Sequence, residues 1–581
     1  MTRPRRRGPR LLPALLLATA VLTGCVSLPE QGPVVTAEED SGLRTDDPAD
    51  IVVQPPTPGE TASDIVLHFL DAMTASPMST SVAREYLTQS AADDWDPERE
   101  IITYADKTRP FGSNPVQVRL LGADHLDARG SWLGSLPRAR STLRFPVTLE
   151  NGEWRIARAP DALVVPDTWF EPRFQQVSLY FFDPTATVVV PEPVYLPRGD
   201  QLATALTSNL LLGPPVGLGR VYRTFLPPGL TAGLSVPVTR AGVAEIALQG
   251  DASRLTPQTT GLMLAQLAWT LRQVPGIRAL KVTIGGQPVD LPGDSEVLPV
   301  SAGAAYDPAG MLATDELFAL RDGVLVSGSV EEMRPVDGPM GRVDQGLRSV
   351  AVSIDGSRVA GVTASGRVLR SQLHGSSRQV RQVVSGGTDL LPPMWDLTGR
   401  LWLVDRRDDG ALVSLVRGGR AVQVDAPGIT GARVRAVTVS RDGTRLVAAL
   451  AGRHTDSLVM CRIGRGLDGR PLLTPARPVH ADFDAPLRVR DLGWRTPISL
   501  VVLSPLAQRL SQVRAIPIDG SAGDTPIPPT TLRGQMRWLV SSPVAEQPTY
   551  VASARAVMDL AEAERTVRLP GVSLGTLTYV G

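Results

Sequence analysis

The spacing of apolar residues changes character along the chain, and each change marks a different kind of segment. Five arginines, Arg3, Arg5, Arg6, Arg7 and Arg10, precede an apolar stretch from Leu11 to Leu22. That stretch is too short for a comfortable permanent span and has the layout of a signal peptide over residues 1–24. From Cys25 to residue 60 the periodicity dissolves among Pro, Gly, Asp and Glu. This predicts a flexible tether of roughly 30 Å root-mean-square reach. Val66, Phe69, Leu70 and Met73 then fall at i, i+3, i+4, i+7, one face of an amphipathic helix, and a second short helix is predicted over Val82–Leu87. Strand-like stretches follow at Val116–Leu121, Ser141–Leu149 and Glu153–Ile156, the last two joined by the turn Asn151-Gly152. A first folded segment, 61–166, thus places helices before antiparallel sheet.

A second segment, 176–293, opens on a strand, Val177–Asp183, and continues to a helix with Leu202, Ala205, Leu206 and Leu210 in one stripe. Gly213 and Pro214 stop that helix. After the turn Leu226-Pro-Pro-Gly229 comes the strand Val243–Leu248, and Thr256-Pro257 fits the N-cap and first position of a second helix. Leu264, Leu267, Ala268 and Leu271 share a face of it, and Ala279–Ile284 closes the segment as a strand.

The third segment, 300–581, repeats itself. Val350–Ala360 and Ala436–Val447 are each a strand, an Asp-Gly turn and a second strand, with degenerate copies at Leu391–Trp402, Val489–Val501 and Met536–Val551. The second-strand positions Val359, Leu401, Leu446, Leu500 and Tyr550 lie 42, 45, 54 and 50 residues apart, the blade period of a β-propeller. The Asp-Gly pair is expected to supply the positive φ of a tight hairpin. Leu317–Val326 lacks an inner strand and Leu574–Val580 is an inner strand without a blade. The carboxy terminus is therefore expected to complete the first of about six blades and protect its edge. The expected fold is multidomain, α+β, then α/β, then all-β propeller.

Composition removes several function classes. Basic and acidic residues both number 59, so no net charge draws the chain to nucleic acid. The sequence offers no phosphate-binding glycine loop, no His-Glu-x-x-His and no paired cysteines for zinc. Asp405, Asp408 and Asp409 depart from the calcium-loop spacing and read as a charged inter-strand loop. His68 beside Phe69 reads as a half-buried surface residue and His125 as a loop residue. Cys461, in an apolar run without a neighbouring base, reads as a small buried hydrophobe rather than a reactive thiol. Trp269 and the Tyr180-Phe181-Phe182 run offer either a sugar-stacking surface or core, and their spacing favours core. No catalytic, cofactor or metal site is expected, and the partner-binding residues are left open.

Leu22-Thr23-Gly24-Cys25 resembles the lipobox of bacterial lipoproteins, which implies that Cys25 becomes a diacylated mature amino terminus. Two acyl chains (palmitate-type) at one site give stable anchoring. The first folded segment, ending in Gly152-Glu-Trp-Arg-Ile156, looks like the NTF2-like domains. The second resembles the GerMN domain through Tyr180-Phe-Phe-Asp183, Leu210-Leu-Leu-Gly-Pro214, Leu226-Pro-Pro-Gly229 and Leu264–Leu271 with Pro275-Gly276. In sequence the four parts resemble the LpqB family of actinobacterial lipoproteins along nearly the whole chain. That resemblance implies a non-enzymatic accessory to the MtrA/MtrB two-component system. It would be lipid-anchored on the outer face of the cell membrane and touch the extracellular part of the sensor histidine kinase MtrB, in cell-wall homeostasis and cell division. Two other readings stand beside it: a binder of peptidoglycan or its precursors with the GerMN segment as reader, and a propeller hydrolase or lyase, for which the sequence supplies no acid/base set.

Overall fold

The computed structural model describes residues 51–291, 295–310, 314–375, 379–479, 486–523, 528–562 and 565–581. The described residues form one compact unit. The amphipathic stripe is helix α1 (Ala62–Ala72), opened by a capping box between Thr61 and Asp64, and Ile65, Val66, Phe69 and Leu70 are buried along it. Two short helices follow, α2 (Ser81–Glu85) and α3 (Gln89–Asp94), the latter capped by the Thr88 side chain. Strands β1 (Glu100–Lys107), β2 (Val116–Asp127) and β3 (Trp132–Ser135) build an antiparallel sheet, and β4 (Thr142–Phe145) pairs with the start of β2.

The stretch expected as one strand over Ser141–Leu149 is two, because Pro146 lacks the amide a continuing ladder needs and β5 (Val147–Glu150) instead pairs with β6 (Glu153–Ile156). The Asn151-Gly152 turn joins them with φ of 55° and 86°, the left-handed pair of a tight hairpin. Strand β7 (Leu163–Pro166) lies parallel to β1 and leads into helix α4 (Asp167–Arg173). Residues 51–60 do not behave as free tether. Ile51 bridges Ser76, the Tyr86 hydroxyl donates to Gln54 O at 2.8 Å, and the Gly59 amide donates to Glu153 at 3.0 Å.

The second domain begins with a long hairpin, β8 (Phe174–Phe182) and β9 (Val189–Pro197). Helix α5 (Leu202–Leu211) ends where Gly213 turns left-handed, as the Gly-Pro pair predicts. Strand β10 (Thr231–Ala232) pairs with β11 (Val243–Gln249), which runs parallel to β12 (Ala279–Ile284). Between the parallel strands lies α6 (Pro257–Leu271), capped by Thr256 with proline at its first turn. Both helices press on the sheet and the hairpin, so Leu206, Leu210, Leu264 and Leu267 share one core with Val177, Phe181 and Ile246.

From residue 317 onward the described residues form six antiparallel sheets of four or five strands. Their second strands begin at or one residue before Val359, Leu401, Leu446, Leu500 and Tyr550, the positions that set the sequence period. In the first sheet, Leu317–Arg321 pairs on one side with Val324–Gly328 and on the other with the carboxy-terminal strand Val572–Thr578. Apolar clusters join each sheet to the next: Leu320 meets Val352, Val362 meets Leu403, Val404 meets Leu446, Ala449 meets Leu500 and Val501 meets Val551. Another cluster joins Val540 and Ala552 of the last sheet to Leu317 and Val326 of the first.

Candidate functional site

The second domain meets the sheets along the hairpin β8–β9, and this contact gathers a cluster of buried charges. Glu192 lies on β9 between Pro191 and Pro193, inside a buried run from Val188 to Leu196. A carboxylate there must be paired, because an isolated charge in an apolar strand is strongly unfavourable. Its partners come from the fourth sheet. Arg462 donates to Glu192 Oε1 at 2.9 Å, and Arg445 Nη2 lies 3.6 Å from Oε2 and donates to Pro191 O. Tyr222 donates its hydroxyl proton to Glu192 at 2.6 Å and accepts from Arg462 at 2.5 Å. Arg445, fully buried, is held from behind by Asp442 at 3.1 Å. Burial opposes the charge on Arg462, but Glu192 and Tyr222 more than restore it, so its pKa is raised. Burial pushes the Tyr222 phenol well above its ordinary value.

Other contacts extend the junction. Asp183 caps the hairpin tip by accepting from the amides of Thr185, Thr187 and Val188 at 2.8, 2.7 and 3.0 Å. The Gln176 amide donates to Asp519 at 2.9 Å and Ser521 at 3.2 Å. Arg465 N donates to Arg220 O at 3.0 Å, and a Cβ on neighbouring Gly464 would stand 2.7 Å from that same oxygen, so only glycine lets the two backbones close. Between the domains lie a cavity of about 240 Å³, bounded by Asp183, Thr185, Arg400, Gly443 and Gly464, and one of about 410 Å³ beside Asp307, Asp355, Arg358 and Asp396. Arg400 is already bound to Asp396 at 2.6 Å and Asp396 accepts from Trp402 at 2.8 Å. This pairing neutralises Arg400 and Asp396 within the third sheet, so neither is a free charge in the cavity wall.

The turns beneath the hairpin correct one expectation. In Ser353-Ile-Asp-Gly-Ser-Arg358 and Ser440-Arg-Asp-Gly-Thr-Arg445 only the glycine is left-handed, with φ of 65° at Gly356 and 69° at Gly443. The aspartates act by accepting hydrogen bonds: Asp355 from Ser357 N at 3.1 Å, Asp442 from Thr444 N at 2.8 Å. The serine hydroxyl before each accepts from the arginine amide, at 2.9 Å for Arg358 and 3.0 Å for Arg445.

Cys25, expected to carry the lipid, lies outside the described residues. His125 is not in a loop but on β2, its Nδ1 2.7 Å from Glu100, which Arg140 also binds at 2.5 Å. His68 is half-exposed on α1, 3.4 Å from Glu60. Asp405 belongs to the strand Leu401–Arg407 rather than to a charged loop, and accepts from the amides of Thr388 and Asp389 at 2.9 and 2.8 Å. Only Asp408 and Asp409 form the hairpin turn beyond it. Cys461 is buried, its thiol pushed up to about 12 by burial and then by Asp425. Trp269 packs on α6 with its indole N–H donating to Gly303 O at 2.6 Å, and Phe181 and Phe182 are fully buried, so these aromatics are core. Among the described residues no group of three or more His, Cys, Asp or Glu side chains is placed to hold a metal ion. No described helix is long and apolar enough to cross a membrane.

The Glu192 cluster was not legible in the sequence. The signal was a lone carboxylate in Val188-Val-Val-Pro-Glu-Pro-Val-Tyr-Leu196, a run that would otherwise be buried on both faces.

Fold and junction together define a class: a multidomain protein in which a small α/β domain of GerMN type is locked onto an all-β region of propeller type. Three family models match it, "Lipoprotein LpqB, N-terminal domain" over residues 55–171, "Sporulation and spore germination" over 178–290 and "Lipoprotein LpqB beta-propeller domain" over 323–568. The chain belongs to the LpqB lipoprotein family. It is 30% identical over 594 residues to Lipoprotein LpqB of Mycolicibacterium smegmatis, covering 95% of each chain. It is 29% identical over 569 residues to Lipoprotein LpqB of Streptomyces coelicolor, covering 90% of this chain and 91% of that one. Among solved structures, the first GerMN domain of the sporulation protein GerM from Bacillus subtilis aligns over 96% of its length and 21% of this chain, at 25% identity and a TM-score of 0.18. A Nidogen/Laminin complex chain aligns over 97% of its length and 45% of this one, at 15% identity and a TM-score of 0.32.

Proposed function

We propose that this lipoprotein is a membrane-anchored, extracytoplasmic accessory protein that binds a two-component sensor kinase and catalyses no reaction itself. Acylation of Cys25 holds it at the membrane, and its binding influences cell-envelope homeostasis and division. The observation that carries this reading is the junction around Glu192: its ionisable groups are consumed in pairing with one another, which makes a rigid platform and leaves no unengaged acid/base pair there. In the same reading the six sheets are blades of a ring that the carboxy-terminal strand closes. Support comes from the core shared between the last sheet and the first, and from the pairing of Leu317–Arg321 with Val572–Thr578. A ring offers broad loop-built ends for a partner, and confinement to the membrane raises its effective concentration near a membrane kinase.

Affinity isolation of the acylated full chain from solubilised membranes tests this. The sensor kinase is expected among the specific partners and is expected to be lost when Cys25→Ser releases the chain from the membrane. A specific partner set without any sensor kinase would overturn the proposal.

A further inference from the structure

The two ends of the sheet assembly differ in what they have left to bind. The hydrogen bonds and ion pairs from the second domain reach Arg445 at the start of a second strand, Arg462 and Arg465 at the end of a third, and Asp519 in the turn from third to fourth. Strand direction puts all of these at one end. The opposite end is built from the turns between second and third strands and from the entries into each first strand, and none of those contacts falls there.

At this open end one residue type recurs. Arg348, Arg435, Arg490 and Arg537 stand at the entry to the first strand of the second, fourth, fifth and sixth sheets, and all four are exposed. Each lies at a local irregularity. Register shifts between Leu347 and Ser349 and between Val434 and Ala436, while the amides of Arg490 and Arg537 donate to Leu503 O and Ala552 O, which already face Asp491 and Trp538. Such bulges re-aim side chains. First strands of the fourth, fifth and sixth sheets pack on their successors, as do those of the second and the first, so the arginines circle one axis.

The local charge is positive. Arg348 donates to Leu390 O at 2.6 Å and Arg490 to Met536 O at 2.6 Å, in each case to the chain entering the next sheet. That fixes the guanidinium planes with donors to spare. Asp389 is shared by Arg348 and Arg406, and Asp456 by Arg435 and Arg488, so each carboxylate faces two cations. Among the described residues Arg490 and Arg537 have no carboxylate partner.

We infer that this arginine-rimmed mouth is where the ring receives its protein partner, and that the partner presents an acidic segment there. The inference rests on the kinase reading above and names its contact surface. Guanidinium forks match carboxylates in paired hydrogen bonds. Cations that converge on an axis suit a short acidic loop entering end-on, whereas an extended polyanion calls for a linear track.

The test measures binding of the purified outer domain of the sensor kinase to the full acylated chain in lipid nanodiscs. The fourfold variant Arg348→Gln, Arg435→Gln, Arg490→Gln, Arg537→Gln is expected to bind at least about tenfold more weakly at 0.15 M salt and with a flatter salt dependence. Arg537→Gln alone, whose side chain only overlies Trp538 at 6.0 Å, is expected to lose part of the affinity with an unchanged melting temperature. Arg420→Glu, exposed at the covered end, is expected to bind as the unaltered chain does. If the unaltered chain binds and the fourfold variant binds equally well, the inference fails while the kinase reading stands. If the variant keeps the kinase domain but loses co-sedimentation with phosphate-bearing wall polymer, the mouth belongs to a polyanion and the inference fails. If the unaltered chain does not bind the kinase domain, the functional reading fails first and carries this inference with it.

Discussion

Glu192 shows how one side chain can hold two domains together. Its two oxygens collect Arg462, Tyr222 and, at longer range, Arg445, and all four groups are largely withdrawn from water. Truncating one member of such a set leaves buried charge uncompensated, so Glu192→Ala is expected to lower stability by about 3 kcal/mol, read from urea unfolding of the full chain. Asp491 makes a prediction about pH. Burial pushes its carboxyl up to about 6, against the opposing pull of donated hydrogen bonds from Leu539 N and Leu492 N. The folded chain therefore binds this proton more tightly than the unfolded chain, whose ordinary value is 3.8. Asp491 favours folding most below the lower value, and that contribution is lost as pH rises from about 4 to about 6. Relative to Asp491→Asn, the natural chain should lose stability across that window, and parallel urea midpoints that do not diverge would contradict the assignment. Cys461, buried and with its thiol raised, is expected to resist iodoacetamide at pH 8 until the chain is unfolded, as read by peptide mass.

At the scale of elements, the carboxy-terminal strand is the piece on which the first sheet depends. It pairs with Leu317–Arg321, and Leu574 and Leu577 join the core that links the first and last sheets. Deleting residues 572–581 exposes that edge and opens that core, so the truncated chain is expected to aggregate or to unfold at much lower urea, checked by size exclusion and far-UV circular dichroism. Much of this level was legible in the sequence. Period-two alternation around Asp-Gly located the paired strands, Thr256-Pro257 located the start of α6, and Asn151-Gly152 located the β5–β6 hairpin, because each signal is local and its physics is complete within a few residues. Strands β1 and β9 were not legible. β9 carries three prolines, Pro191, Pro193 and Pro197, which read as non-strand, yet it is tolerated because it pairs only with β8 and its other edge carries no ladder. His125 was misplaced for a related reason: β2 runs to Asp127 through Gly122, whose positive φ marks an irregularity within the strand rather than its end.

For the whole molecule, the order of domains was readable from the chain, but their mutual placement was not. The junction joins Gln176 to Asp519 and Glu192 to Arg462, pairs separated by hundreds of positions, and neither period nor motif reports such a contact. The same limit hid the difference between the two ends of the sheet assembly: arginines at the strand entries look like ordinary surface charge until the second domain is seen to occupy the other end. On the proposed function, the anchored chain is a docking platform whose open end meets a sensor kinase. A photocrosslinking residue placed at Arg537 or Arg555 on the open end, or at Arg420 or Arg470 on the covered end, tests it in intact cells carrying the full-length acylated chain. Covalent capture of the sensor kinase is expected from the first pair and not from the second. Capture from the covered end alone, or capture of no sensor kinase from any position, would contradict it.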